Sequence, residues 1–276
     1  MVNAYNIKTI EVEKYQIRYY DNFNSSLHLP PVLLLHGLGG SADRWTKVIP
    51  YLSGKYRLII PDIIGFGYSE KPHVEYTVDF FINFINKFLN LLNVSDINII
   101  GSSYGGLLAL EYAIKYEAEI KKLVLVSSAG MMRYVSTTLK HYISAALYPT
   151  YENVLRAFQE MIYDSNMVSE ESIQDFINRM NLPNSKYAFM STLMSFNNHP
   201  KLTDRLKINI PTLIIWGRKD KVIPVRYAKK FKIPNSKIVL LDHCGHYPHI
   251  EKIEEFIRII LKFLWLSLSI VLYCNV

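Results

Sequence analysis

The chain has 276 residues, of which half are hydrophobic and a fifth are charged. This balance is typical of a globular protein with a sizeable core, and it excludes a disordered or fibrous chain. The net charge is +7, but the Lys and Arg residues are scattered along the chain. Scattered charge is typical of a solvated surface, so we expect no nucleic acid partner.

The opening residues alternate between apolar and polar side chains from Ile10 to Tyr19, which predicts an antiparallel hairpin. Short apolar runs without a polar face then follow, and such runs are typical of strands buried on both sides. They lie at residues 32–35, 58–60, 97–100, 123–126, 213–215 and 238–241. Residues 77–92, 104–116 and 251–265 have helical spacing between or after these runs.

Strands that alternate with helices predict an α/β fold. We therefore expect an eight-stranded, mostly parallel sheet with helices on both faces. About 80 residues between Ser127 and Pro211 lack a convincing buried strand, and a structureless loop of that length is improbable. Helical patterns at 150–163, 170–180 and 185–196 predict an inserted helical cap. The predicted organisation is core 1–130, cap 131–205 and core 206–276.

The last stretch, from Ile259 to Cys274, contains one charged residue, Lys262. It is shorter than the roughly 20 apolar residues that a membrane-spanning helix needs. We expect a buried final helix followed by an apolar tail at 267–276. A homodimer contact or attachment of this tail to a membrane surface remains open.

The two cysteines, Cys244 and Cys274, belong to no CxxC pair and to no metal-binding spacing. No metal, disulfide framework or other cofactor is therefore expected. The first residues show no basic stretch followed by an apolar one, so no signal peptide is predicted. These features favour a cytoplasmic location.

A G-x-S-x-G motif centred on Ser103 directly follows the run at 97–100 and precedes a helical pattern. This arrangement predicts a tight turn that exposes a nucleophilic serine, with Gly101 and Gly105 leaving room for the backbone. Ser102 is the weaker candidate because Ile100 and Tyr104 occupy the corresponding flanking positions.

A glycine-rich loop, His36-Gly37-Leu38-Gly39-Gly40, follows the run at 32–35. Hydrolysis through a tetrahedral intermediate needs two donors for the oxyanion. The backbone amides of Leu38 and Tyr104 are predicted to supply them, with Gly37 and Gly39 allowing a close approach to the substrate.

An acid and a base should follow the nucleophile in the order acid, then histidine. Asp220 comes after the run at 213–215, and His246 comes after the run at 238–241. Asp242 follows its strand so closely that it is interpreted as a turn residue. Asp62 precedes the nucleophile, and His243 and His249 flank the preferred base.

The chain resembles the α/β-hydrolase superfamily, in particular carboxylesterases and meta-cleavage-product hydrolases, which cut C–C bonds. The resemblance spans about residues 10–265 and depends on motifs at 36–40, 62–69, 101–106, 217–220 and 245–248. Haloalkane dehalogenases and epoxide hydrolases share the motif at 62–69, but they use an aspartate where this chain has Ser103. The first loop lacks the proline-rich form of many meta-cleavage hydrolases, which favours an esterase.

The resemblance implies a serine esterase that acts on small to medium apolar carboxylic esters through an acyl-enzyme at Ser103. The alternatives are a C–C bond hydrolase, a lactonase or a lipase. C–C bond hydrolysis would need a basic residue that binds the carboxylate of the substrate, and Arg133 is the candidate. Methionines near the cap suggest an apolar pocket, although they are commonly core fillers. The partner expected is a small ester substrate.

Overall fold

A computed structural model of the chain describes residues 7–132, 134–199, 202 and 205–265. One sheet contains eight strands in the order β1-β2-β4-β3-β5-β6-β7-β8. Strand β2 pairs antiparallel with both of its neighbours, and the remaining neighbouring pairs are parallel. The mostly parallel sheet is thus confirmed. The strands are β1 Ile7–Val12, β2 Tyr15–Asp21, β3 Pro31–Leu35, β4 Arg57–Pro61, β5 Ile97–Ser102, β6 Ile120–Val126, β7 Thr212–Gly217 and β8 Ser236–Leu241.

Helices cover both faces of this sheet because the side chains of each parallel strand alternate between two apolar clusters. Leu33 and Leu35 belong to the first cluster, together with residues of α2 Val78–Leu91 and α3 Tyr104–Lys115. Val32 and Leu34 belong to the second, together with residues of α1 Ile49–Leu52 and the last helix. The last two described helices are α8 Pro248–Glu251 and α9 Ile253–Trp265.

Strand β8 differs from the expectation that it is buried on both sides. It lies at the edge of the sheet and pairs with β7 alone, so most of its residues are partly or fully exposed. Ile238, in the middle of the apolar run, is 37% exposed. The apolar run therefore predicted this strand correctly, but it did not predict how far the side chains of the strand are buried.

The inserted cap consists of helices α4 Thr137–Leu147, α5 Tyr151–Met161, α6 Glu170–Met180 and α7 Ser185–Asn198. Ser136, Thr150 and Ser169 begin α4, α5 and α6, and each side chain accepts a hydrogen bond from an amide in the first turn. The sequence predicted at least three helices here, and α4 is a further helix whose range was not predicted. The exact boundaries at 131 and 205 remain a prediction.

An ion pair between the buried Glu111 and the partly exposed Arg205 lies where the chain returns from the cap to the core. Glu111 of α3 accepts two hydrogen bonds from Arg205, at 2.9 and 2.8 Å, and bonds to His199 at 2.6 Å. These contacts hold the segment before β7 against a helix of the core.

Among the described residues, no helix is both long enough and apolar enough to span a membrane. The tail at 267–276 and Cys274 lie outside the described residues.

Candidate active site

Ser103 occupies a sharp turn between β5 and α3. Its backbone has φ 54° and ψ −118°, which is an uncommon region for a residue with a side chain. Its amide donates to the carbonyl of Val126 at 2.9 Å, and its carbonyl accepts from the amide of Ala129 at 2.9 Å. Both contacts lie on β6 or just beyond it, so the sheet holds the turn in its strained form.

The glycines on either side of Ser103 are required by close backbone packing. A Cβ on Gly101 would lie 2.2 Å from the carbonyl oxygen of Gly105. A Cβ on Gly105 would lie 2.4 Å from the carbonyl oxygen of His36. The steric reason given for the motif therefore holds at both positions.

Asp220 and His246 come together beyond the carboxyl ends of β7 and β8. The Nδ1 atom of His246 lies 2.8 Å from Oδ2 of Asp220, and both side chains are almost completely buried. The other carboxylate oxygen, Oδ1, accepts from the amides of Val222 and Ile223 at 2.8 and 2.9 Å. These two amides fix the orientation of the carboxylate, which in turn orients the imidazole.

The rival acids have other partners. Asp62 accepts hydrogen bonds from the amides of Ala42 and Tyr68 and pairs with Arg18 at 3.0 Å, so it organises the loops around it. Asp242 was interpreted as a turn residue. The structure does place it in a turn, where its side chain is 72% exposed and pairs with Arg218 at 2.8 Å.

The other two candidate bases, His243 and His249, contact other side chains than Asp220. His243 bonds to the hydroxyl of Tyr163 at 3.0 Å at an exposed position. His249 is buried and stacks on Trp45, with ring centroids 4.3 Å apart. Burial, followed by the nearby charge of Arg44, lowers the pKa of His249 to about 3. That imidazole is therefore neutral near pH 7.

The glycine-rich loop passes directly over the serine. A Cβ on Gly37 would lie 3.1 Å from the Cβ of Ser103, which is a tight contact, so glycine lets the loop lie close to the serine. Among the described residues, neither the amide of Leu38 nor that of Tyr104 has a backbone or side-chain acceptor. Tyr104 is also the first residue of α3, where the helix dipole favours negative charge.

Two cap residues that sequence reasoning did not single out contact the same loop. The hydroxyl of Tyr142 in α4 donates to the carbonyl of Leu38 at 2.7 Å. Nη1 of Arg179 in α6 donates to the carbonyl of Gly39 at 2.6 Å. These contacts join residues 104 and 140 positions apart, so no local pattern in the sequence could have revealed them.

Ser103 and His246 line one narrow cavity between the cap and the core, with about 70 Å³ open to water-sized molecules. No Asp, Glu, Lys or Arg is among the described residues that line it. Its walls are mainly apolar and include Met132, Leu139, Met161, Leu193, Phe196 and Val222. Arg133, the predicted carboxylate-binding residue, lies outside the described residues.

A second cavity of about 280 Å³ adjoins the first. Five residues line both cavities, namely Gly130, Met132, Leu139, Leu193 and Phe196. Met190 and Met194 line the second one alone. Met132 and Met161 thus line the cavity that contains Ser103, whereas Met190 and Met194 line the second cavity.

Within the described part of the chain, no group of three or more His, Cys, Asp or Glu side chains is placed to hold a metal ion. The reactive groups that the described residues bring to this site are a serine hydroxyl, an imidazole, a carboxylate and backbone amides.

A strained serine between a strand and a helix, followed in the chain by a paired acid and histidine, defines a hydrolase of the α/β type. The model of the family with the alpha/beta hydrolase fold matches residues 30–192 and 173–253. The chain belongs to this family.

The relatives with known names include dienoate hydrolases and lipases. The chain is 31% identical over 244 residues to the 2-hydroxy-6-oxo-6-(2'-aminophenyl)hexa-2,4-dienoic acid hydrolase of Metapseudomonas resinovorans, covering 85% of this chain and 83% of that protein. It is 29% identical to Lipase 3 of a Moraxella species, covering 84% and 76%. A solved structure of the meta-cleavage product hydrolase CumD from Pseudomonas fluorescens IP01 matches with a TM-score of 0.82 and 26% identity, covering 93% and 97%.

Proposed function

We propose that the chain is a serine esterase that hydrolyses small to medium apolar carboxylic esters, with Ser103, Asp220 and His246 as its catalytic triad. The observation that carries the proposal is the 2.8 Å contact between Asp220 and His246 beside a cavity that Ser103 also lines. A carboxylate at Nδ1 leaves Nε2 unprotonated and able to act as a base.

In the proposed reaction, the Ser103 hydroxyl attacks the ester carbonyl and its proton passes to Nε2 of His246. The oxyanion that forms is held by the amides of Leu38 and Tyr104, which lack an acceptor of their own. The imidazolium then gives the proton to the leaving alcohol, and an acyl-enzyme remains. Water activated by the same histidine releases the carboxylic acid.

An apolar substrate is supported by the walls of the cavity. The described lining residues include no Asp, Glu, Lys or Arg that could pair with a charged acyl or alcohol group. Transfer of an apolar substituent from water into such surroundings is favourable, whereas a carboxylate would be desolvated without a partner.

The direct test is hydrolysis of p-nitrophenyl esters from acetate to dodecanoate by the wild type and by S103A. Turnover by the wild type that falls by at least about 10³-fold in S103A is the expected result. Wild-type turnover that survives in S103A would refute the role of Ser103. A wild type without turnover would refute the esterase proposal.

A second candidate is C–C bond hydrolysis, as the names of the dienoate hydrolases suggest for those proteins. It requires a cation for the carboxylate of the substrate, and Arg133 remains the candidate. Turnover of a 2-hydroxy-6-oxohexa-2,4-dienoate that R133M abolishes, while R133M retains any ester turnover, would favour this reading. Faster turnover of neutral esters than of the dienoate would favour the esterase.

A further inference from the structure

The loop that carries the amide of Leu38 is held from two directions. On the core side, Nδ1 of His36 lies 2.8 Å from the carbonyl of Gly37, which also accepts from the amide of Gly40 at 3.0 Å. Because a trans peptide is planar, the amide of Leu38 points away from the carbonyl of Gly37. The core contacts therefore set the direction of that amide.

On the cap side, the next two carbonyls of the loop each have a donor. Tyr142 donates to the carbonyl of Leu38, and Arg179 donates to the carbonyl of Gly39. Both side chains are at least 96% buried, so water does not compete readily for these bonds. Hydrogen bonds to the carbonyls of Leu38 and Gly39 restrict the position of the loop backbone. They therefore restrict the distance between the Leu38 amide and Ser103.

Arg179 is itself held in place by a chain of contacts. Its Nε donates to Oδ2 of Asp175 at 2.9 Å, and Oδ1 of Asp175 accepts from the hydroxyl of Tyr68 at 2.7 Å. Tyr68 belongs to the loop after β4, where its amide donates to Asp62 at 2.7 Å. A series of hydrogen bonds therefore connects the loop after β4, through Asp175 and Arg179 of the cap, to the glycine-rich loop.

We propose that Tyr142 and Arg179 are positioning residues, which hold the Leu38 amide at the distance that stabilises the oxyanion. The inference rests on the proposed esterase function and adds to it that the cap takes part in building the oxyanion hole. Neither residue is a catalytic residue in this scheme, since both act through the backbone of the loop.

The variant that tests this is Y142F, which removes a single hydroxyl and keeps the ring. With p-nitrophenyl butyrate, kcat should fall roughly tenfold, less than for complete loss of an oxyanion donor, while KM changes by less than about twofold. Affinity for an alkyl trifluoromethyl ketone should fall by the same factor. The serine adds to this ketone and leaves an oxyanion in the hole, so the ketone reports on transition-state binding.

Y187F is the matched control. Tyr187 of α7 also joins the cap to the core, because its hydroxyl donates to the carbonyl of Val74 at 3.2 Å, and it lines neither cavity. We expect kcat, KM and ketone affinity of Y187F within about twofold of the wild type, since its bond leaves the oxyanion loop untouched.

Arg179 is tested by comparing R179M with R179K. The methionine removes the donor, and the lysine retains a donor and the charge beside Asp175, so R179K should recover part of the kcat that R179M loses. Thermal unfolding of each variant separates a loss of folded protein from a loss of kcat.

Three results would overturn the inference. These are an unchanged kcat in Y142F, an effect confined to KM, or a fall in kcat without a fall in ketone affinity. Each can occur while S103A still abolishes turnover, so the inference can fail without the proposed function failing. A wild type that lacks Ser103-dependent turnover overturns both.

Discussion

The amide of Ile63 donates to Nε2 of His36 at 3.0 Å, while Nδ1 of the same ring bonds to the carbonyl of Gly37 at 2.8 Å. An acceptor role at Nε2 and a donor role at Nδ1 require the neutral imidazole with its proton on Nδ1. Burial is the main cause that lowers the pKa of His36 to about 4. The ring beneath the glycine-rich loop is thus neutral throughout the neutral range.

Acid is therefore expected to destabilise the fold before the carboxylates titrate fully. The ordinary pKa of histidine is 6.5, against about 4 for His36 and about 3 for His249 in the folded chain. Because the folded values are depressed, the stability that neutral burial contributes is complete above pH 6.5. It is lost as the pH falls from 6.5 toward each folded value. At pH 5 the loss is about 2 kcal/mol for each ring. Urea unfolding at pH 7.5 and pH 5 measures it.

H249F provides the control for this pH effect. Phenylalanine keeps an aromatic ring against Trp45 but cannot bind a proton. The difference in the free energy of unfolding between pH 7.5 and pH 5 should shrink by about 2 kcal/mol relative to the wild type. An unaltered difference would show that His249 does not contribute to the acid sensitivity.

Replacement of Asp220 by asparagine tests the proposed acid without removing its structural contacts. Oδ1 of the asparagine can still accept from the amides of Val222 and Ile223, so the loop should stay folded. The amide group would face Nδ1 of His246 with a donor, which favours the wrong tautomer. We expect kcat to fall by roughly 10³–10⁴-fold.

D242N is the matched control for D220N. Asp242 is exposed and pairs with Arg218 at the surface, so kcat should stay within about twofold of the wild type. Equal losses in D220N and D242N would contradict the assignment of the acid.

The wall between the two cavities should control the length of acyl chain that is accepted. Leu193 lines both cavities. If longer chains extend into the second cavity, L193W should lower kcat/KM for the octanoate ester by roughly tenfold relative to the acetate ester. L193A should shift the same ratio toward octanoate. Turnover of acetate by each variant is the internal control, and an unchanged ratio in both variants would place the acyl chain elsewhere.

The ion pair at Glu111 should matter for stability. E111Q removes the charge that Arg205 and His199 contact, and the free energy of unfolding should fall by about 2 kcal/mol, since Arg205 is 36% exposed and can be hydrated. Glu117 accepts from the amide of Asn209 near the surface, so E117Q should cost less than about 1 kcal/mol. Equal losses would mean that burial of Glu111 adds nothing.

Local patterns predicted the strands well, and they singled out Asp220 and His246, whose side chains the structure brings together. A buried strand that runs into glycines around Ser103 is a signal contained within a few residues, as is the position of Asp220 or His246 after its strand. Helix α4 was missed, although Ser136 begins it with an ordinary cap. The partners of Tyr142 and Arg179 depend on how the cap lies on the core, and no spacing along the chain encodes that.

The position of the cap between β6 and β7 has a consequence for the covalent structure. Ser103 precedes the cap in the chain, whereas Asp220 and His246 follow it. A single peptide-bond cleavage within the cap would place the proposed nucleophile on one fragment and the proposed acid and base on the other. The two fragments would still be joined by the parallel pairing of Leu123–Val126 with Thr212–Ile215. The site is thus assembled from two separable lengths of polypeptide, and the sheet rather than chain continuity unites them.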